Sequence, residues 1–227
     1  MLTHKHDHYT SEYFQRQRTK SDAKLTWQYD RMLGLAAVRP DSKTRVLDIG
    51  CGAAPGLRYF HGRGIAAVGI DISADGLRAA RQLLPEARLV RCDLEMPLPI
   101  ADGQFDLALL SEIVEHVGQL PPLFAEVRRV LRPGGALVLT TPNLWDVRRL
   151  VARLGGPTWT GDLDATHINL QTPSSLRRHL AAAGFARVRL RTGWKPLARL
   201  GGRKVPLRIA VPYPPYVGNG IMAAAWV

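Results

Sequence analysis

Val46-Leu47-Asp48-Ile49-Gly50-Cys51-Gly52-Ala53-Ala54-Pro55-Gly56 is the stretch that decides the fold. A short apolar run, 45–50, reads as a strand and breaks at two glycines one residue apart. Glycines at 50 and 52 let the backbone approach a ligand closely at a strand-to-helix turn. Outward from this turn, further strands are expected at 66–72, 87–92, 105–111 and 135–141, with helices near 57–62, 74–84 and 120–131 between them. Continuous apolar strands separated by helices imply a parallel sheet covered on both faces. Right-handed crossovers then give a doubly wound α/β sheet with ligands at the carboxyl ends of its strands.

Beyond Pro142 the pattern loosens. Thr172-Pro173-Ser174 opens a helix over 173–183 that stops at Gly184, and a strand follows at 185–192. The last eight residues, Gly-Ile-Met-Ala-Ala-Ala-Trp-Val, are expected to close a mostly parallel, seven-stranded sheet, antiparallel to 185–192. The domain organisation expected is an N-terminal helical cap over 1–44, whose helix spans 11–37, and a ligand-binding domain over 45–227. That domain would carry an insertion at 143–171 and a lid-like crossover at 194–218. Inward positions of the first helix would be Tyr13, Phe14, Leu25, Tyr29, Met32, Leu33 and Ala36.

The chain has 227 residues, 46% hydrophobic, enough to bury a core without disulfides, and Cys51 and Cys92 make no framework. No run approaches a membrane span or a signal-peptide core, so the cytoplasm is the expected location. The net charge of +12 is uneven: +4 over 1–45, −2 over 46–164, and +10 over 165–227, which contains no acid. Such a surface is either a solvated basic face or one that attracts an acidic substrate, nucleic acid or an anionic membrane.

Acidic residues narrow the ligand. Asp48, two before Gly50, would repel a dinucleotide pyrophosphate, and the glycines at 50, 52 and 56 depart from the nicotinamide fingerprint. An acid there suits a cationic ligand such as S-adenosylmethionine, with its ammonium and sulfonium. Asp71 ends the second strand, where a carboxylate accepts ribose hydroxyls, and Asp93 ends the third, placed for an adenine amino group beside the Leu94 backbone. With Leu47-Asp48-Ile49-Gly50-Cys51-Gly52, Gly69-Ile70-Asp71, Asp93-Leu94-Glu95-Met96-Pro97-Leu98, Phe105-Asp106-Leu107, Glu112-Ile113-Val114-Glu115-His116-Val117 and Leu131-Arg132-Pro133-Gly134-Gly135 in this order, the chain resembles the class I S-adenosylmethionine-dependent methyltransferases, particularly small-molecule and quinone-pathway O-methyltransferases. The resemblance implies the Rossmann-like methyltransferase fold and cofactor contacts at Asp48, Gly50, Cys51, Gly52, Asp71, Ile72, Asp93, Leu94 and Ser111. Ala54 stands where many members have glycine, and it needs no positive φ if the helix has already begun.

The reacting end is expected in Ser111-Glu112-Ile113-Val114-Glu115-His116 and Asp164-Ala165-Thr166-His167. On a helical turn Glu112, Glu115 and His116 would share one face, with His167 meeting them from the insertion. Two carboxylates and two imidazoles can hold Mg²⁺, Mn²⁺ or Zn²⁺. The set resembles that of metal-assisted quinone O-methyltransferases and small-RNA terminal 2′-O-methyltransferases, where a metal would lower the pKa of the acceptor oxygen. In the metal-free alternative His167 or His116 is the general base, with Asp164 orienting His167. Trp145, Trp159 and Trp194 either line an acceptor pocket or anchor loops, and His4, His6 and His8 read as a frayed terminus. The expected activity is methyl transfer to an oxygen of a small, partly apolar acceptor. An RNA 2′-O-methyltransferase or a non-catalytic cofactor-binding module are the competing readings.

Overall fold

The computed structural model describes Phe14, residues 21–156 and 158–193, the backbone of 198–200 and 209–211, and residues 216–227. Its framework is a sheet of β1 (Val46–Ile49), β2 (Ala67–Asp71), β3 (Arg88–Arg91), β4 (Phe105–Ser111), β5 (Leu131–Pro142), β6 (Arg187–Thr192) and the last strand, β9 (Gly220–Trp226). The order is β3-β2-β1-β4-β5-β9-β6, and a separate antiparallel pair joins β7 (Ala198–Leu200) to β8 (Ile209–Val211). The helices are α1 (Asp22–Ala36), α2 (Pro55–His61), α3 (Ala74–Leu83), α4 (Leu120–Val130), α5 (Val147–Arg153) and α6 (Pro173–Ala182).

The strand order reverses at β1, which pairs in parallel with β2 on one side and β4 on the other. Open α/β sheets bind ligands at such a switch point, beyond the carboxyl ends of the strands. β9 slots antiparallel between β5 and β6, as the C-terminal pattern leads one to expect.

Alternation along the strands divides the core into two layers. In β4, Ala108 and Leu110 face the layer holding Leu123, Phe124, Leu176 and Leu180 of α4 and α6. Leu107 and Leu109 face the layer holding Tyr29, Met32 and Leu33 of α1 and Leu57 and Phe60 of α2. Residues as enclosed as Leu109 and Phe124 (0% exposed) each contribute about 1.5–3 kcal/mol by leaving water. The first helix is therefore bolted to the sheet through Leu25, Tyr29, Met32, Leu33 and Ala36.

Three local features differ from expectation. α1 is described from Asp22, where the Ser21 side chain accepts from the Lys24 N–H; Tyr13 and His4, His6 and His8 lie outside the described residues. α5 lies within the stretch expected to be irregular, and none of its residues is buried, so no core-facing period marks it in the sequence. The crossover holds β7 and β8, while Trp194 and much of the remainder lie outside the described residues. α6 begins as expected, with Thr172 and Ser175 forming a reciprocal cap.

Candidate active site

The β1–α2 turn is built on backbone that favours glycine. Gly50 has φ +71° and Gly52 φ +51°. A Cβ on Gly50 would fall 2.2 Å from Ile113 Cδ1, so a larger residue would have to displace that side chain while holding backbone it already disfavours. Gly56 serves the acid behind it: a Cβ there would sit 2.4 Å from Asp48 Oδ2. Ala54 overturns the expectation drawn from sequence. It precedes α2 with φ +63° and ψ 41°, so an alanine holds a left-handed position in which its Cβ crowds the following carbonyl oxygen.

Asp48 is 3% exposed, and its Oδ2 has no hydrogen-bond partner among the described residues. Burial, reinforced by the charge of Asp71, pushes its carboxyl up to about 7, against a hydrogen bond from the Leu57 N–H. Asp71 Oδ2 accepts from the Gly52 N–H (2.8 Å) and Oδ1 from the Ser73 N–H (2.7 Å). It thereby pins the end of β2 to the glycine turn and keeps further lone pairs for a ligand. Burial raises its pKa too.

A buried carboxylate with one oxygen lacking a hydrogen-bond partner, beside the glycine turn, fits a ligand with a cationic group and a hydroxylated sugar. Cys51 is buried, and burial holds its thiol well above the usual range, so it is no nucleophile. Asp93 is half-buried just past β3; its Oδ1 accepts from the Glu95 N–H (3.0 Å), with Leu94 half-buried between them. Ile72 is half-buried and its carbonyl accepts from Arg91 Nε (3.0 Å).

Three contributors went unrecognised in the sequence. Gln28 of α1 donates to Ser111 Oγ (2.9 Å) at the end of β4. Tyr29, counted only as a core residue, also bonds Ser111 and stands beside Asp48, and burial raises its phenol pKa. Phe14 lies against the start of α3, 2.9 Å from where a Cβ on Gly76 would be.

At the reacting end, the expected shared face of Glu112, Glu115 and His116 does not form. Glu112 is exposed and takes φ +57°, and only a single 3-10 turn, Val114–His116, follows. The turn sends Glu115 into the core, where it is 0% exposed. Its Oε2 accepts from Thr141 Oγ1 (2.9 Å), while Oε1 has no hydrogen-bond partner and lies 4.0 Å from His116 Nε2. Burial, then the charge of Glu112, raises the Glu115 pKa well above the carboxylate range.

His116 and His167 do meet, with ring centroids 4.9 Å apart. His116 Nδ1 lies 3.1 Å from the Thr166 carbonyl and His167 Nδ1 2.8 Å from the Gly161 carbonyl. Carbonyl oxygens only accept, so both Nδ1 atoms carry a proton, and in the neutral ring each Nε2 then presents its lone pair. One ligand atom from each of Glu115, His116 and His167 lies within 4.8 Å of the others, and Glu112 is not of this group.

Asp164 Oδ2 is 3.8 Å from His167 Nε2, as a partner of that ring. Its Oδ1 accepts from Thr166 Oγ1 (2.5 Å), and that oxygen lies 2.9 Å from His116 Nδ1. The Asp164–Thr166 turn thus orients His116 as well, a role legible only in hindsight from the Asp-x-Thr spacing. Trp159 is buried with its Nε1 on Asp146 Oδ2 (2.8 Å) and anchors the loop, whereas Trp145 is exposed.

A family model described as a methyltransferase domain matches residues 14–190. The malonyl-[acyl-carrier protein] O-methyltransferase of Serratia marcescens is 29% identical over 173 residues, 75% of this chain and 65% of that protein. The ubiquinone biosynthesis O-methyltransferase of Chelativorans sp. (strain BNC1) is 29% identical over 155 residues, 66% of this chain and 61% of that protein. The chain thus spans less than two-thirds of the length of these curated relatives. Among solved structures, a SAM-dependent methyltransferase from Archaeoglobus fulgidus superposes with a TM-score of 0.69 at 20% identity, over 95% of this chain and 98% of that one, a likeness of fold.

Proposed function

The chain belongs to the class I S-adenosylmethionine-dependent methyltransferase family, and from that membership we propose that it transfers a methyl group to an oxygen of a small, partly apolar acceptor. S-adenosylmethionine, when bound, supplies an electrophilic methyl carbon on a sulfonium whose departure as a thioether drives the transfer. Asp71 would hold the ribose hydroxyls, Asp93 and Leu94 the adenine edge, and Asp48 would answer the positive charge from below. Gly50, Cys51, Gly52, Ile72 and Ser111 line the same approach. α1 and the 143–171 insertion form the cover of the site in this reading.

The paired histidines carry the oxygen-transfer reading. His167, with Nδ1–H held by Gly161, keeps its Nε2 lone pair for the proton of an acceptor hydroxyl, and Asp164 stabilises the resulting imidazolium. His116, held in the same tautomer by Thr166, orients the acceptor from the other side. Both curated relatives described above bear the name O-methyltransferase, which supports an oxygen as the attacking atom. The experiment is incubation of the protein and S-adenosylmethionine with a metabolite extract, read by mass spectrometry. A product heavier by one CH₂ unit, formed with S-adenosylhomocysteine, supports the reading; no methylated small molecule contradicts it.

One observation favours a metal-assisted variant of the same function. Glu115 Oε1 lacks a hydrogen-bond partner and lies 4.0 Å from His116 Nε2, and one ligand atom each of Glu115, His116 and His167 fall within 4.8 Å of one another, a donor set suited to Zn²⁺ or Mn²⁺. Backbone carbonyls on both Nδ1 atoms are the outer partners that orient histidine ligands. A cation held there would polarise the acceptor oxygen. Full activity after exhaustive chelation contradicts this variant; loss restored by one added cation supports it.

A further inference from the structure

The 3-10 turn Val114–His116, which carries Glu115 and His116, holds itself poorly. Its internal bonds run from the His116 N–H to the Ile113 carbonyl (2.9 Å) and from the Val117 N–H to the Val114 carbonyl (3.4 Å). Such a turn has poorer hydrogen-bond geometry than an α-helix, and its last carbonyls find no partner within it. Burial of Val114 and Val117, with the Glu115–Thr141 bond, fixes its inner side. His116 leaves from the half-exposed side, where the peptide groups around it need partners of their own.

Asn169 supplies them. Its backbone N–H donates to the Glu115 carbonyl (3.0 Å), and its Nδ2 donates to the Val117 carbonyl (2.9 Å), with the Gly118 carbonyl at 3.4 Å. One residue thus clasps the carbonyls immediately before and after His116. It stands two positions beyond His167, so the same clasp ties the two halves of the histidine pair together. Ile168, between them, is 55% exposed, so the hydrogen bonds of Asn169, not apolar burial, fasten the insertion at this point.

Of the two ways the Asn169 amide can face, only one presents a donor to Val117. Gln171 selects it. Its Nε2 donates to Asn169 Oδ1 (2.7 Å) and to the Asn169 carbonyl (3.1 Å), while its Oε1 accepts from Ser175 Oγ (2.8 Å) in the cap of α6. Reversing the Asn169 amide would set two NH₂ groups face to face at Gln171 and two oxygens face to face at Val117. Gln171 is itself buried, and its carbonyl accepts from the Leu144 N–H (2.8 Å), two residues past the end of β5. The relay therefore runs from β5 and α6, through Gln171 and Asn169, to the peptide groups around His116. Polar networks whose members are satisfied in this way rigidify what they join.

We propose that Asn169 is a positioning residue for methyl transfer: it sets the spacing and tilt of His116 against His167, and Gln171 holds its amide in the direction this needs. It acts through the backbone on either side of one ring and beside the other, and moves no proton itself. Catalytic groups have to be held within about 0.5 Å of their productive geometry, and a misplacement of about 1 Å costs on the order of 10²-fold in rate. Among the described residues, neither Asn169 nor Gln171 bonds to Asp48, Asp71 or the glycine turn, so cofactor affinity is independent of the relay. The effect on rate rests on the methyl-transfer reading above; the clasp on the histidine pair does not.

The test is Asn169→Asp, a change of equal size that keeps the backbone N–H and the acceptor for Gln171 but sets a carboxylate oxygen against the Val117 carbonyl. NMR of the whole chain, isotope-labelled in its histidine rings and saturated with S-adenosylhomocysteine, should show a cross-relaxation peak between the rings of His116 and His167 in wild type, given centroids 4.9 Å apart. In the variant that peak should weaken several-fold, while S-adenosylhomocysteine affinity stays within about twofold and melting stays cooperative, a combination that an asparagine serving stability alone would not give. The initial rate of S-adenosylhomocysteine formation from S-adenosylmethionine and a metabolite extract should fall at least about tenfold. A peak of unchanged strength in the variant overturns the proposal, as do equal, measurable rates for the two proteins. If the variant fails to fold, wild type decides: Asn169 side-chain amide protons that are protected from exchange and lie against Val117 support the clasp, and freely exchanging ones overturn it. Loss of the peak with no turnover by either protein upholds the positioning and sinks the methyl-transfer reading; turnover with the peak intact in both does the reverse.

Discussion

His116 and His167 face each other with ring centroids 4.9 Å apart, and each is locked in the same tautomer by a backbone carbonyl on its Nδ1. They arrive from different elements, one from the 3-10 turn after β4 and one from the 143–171 insertion. The insertion therefore carries His167 to His116. Replacing His167 by asparagine should lower kcat by roughly 10²- to 10⁴-fold, the usual share of a general acid–base group, and His116→Asn should lower it by less. S-adenosylhomocysteine affinity, measured by calorimetry, should stay within about twofold, because neither ring belongs to the cofactor half of the site.

Thr166 links Asp164 to His116, and its hydroxyl can be removed without removing its carbonyl. Thr166→Val should reduce kcat by about 3- to 10-fold, the worth of one ordinary hydrogen bond. Thr166→Ser should restore it. Identical rates for wild type and the valine variant would show that the carbonyl alone sets the tautomer.

Asp48 links stability to pH. Its folded-state carboxyl, pushed up to about 7, lies above its unfolded value near 3.9. Its contribution is therefore fully present below about pH 4 and is lost as pH rises through about 7, where a buried charge must form. Ligand-free protein should have a lower urea midpoint at pH 8 than at pH 5, after comparison with Asp48→Asn, in which this component is absent. Affinity for the cationic cofactor should move the other way and rise from pH 6 to pH 8 in wild type.

Ala54 and Gly56 carry opposite predictions although they are two residues apart. Ala54→Gly relieves about 1–2 kcal/mol of left-handed strain against about 0.4–1 kcal/mol of added chain entropy, so thermal unfolding should shift slightly upward. Gly56→Ala places a methyl group 2.4 Å from Asp48 Oδ2 and should lower both the melting temperature and cofactor-product affinity.

The sheet was legible because its strands are enclosed. Leu107 to Leu110 are all 0% exposed, and burial on both faces writes itself as an unbroken apolar run. The glycine turn was legible for a related reason, since left-handed backbone at Gly50 and Gly52 restricts residue type. α5 was not, because a helix without a buried face leaves no period to read. The Glu112–Glu115–His116 face was misread because spacing implies a face only where a helix exists, and the chain instead turns at Glu112 with φ +57°. The left-handed Ala54 was hidden by its identity: glycine would have announced the conformation, and alanine does not.

The central claim is that Asp71 and its glycine turn hold S-adenosylmethionine. Calorimetric titration of that cofactor against wild type and Asp71→Ala tests it most directly. The account predicts saturable binding by wild type and a loss of at least about tenfold in the variant, with the variant still folded by its melting curve. Equal affinities for the two proteins, or no binding by wild type, would contradict it.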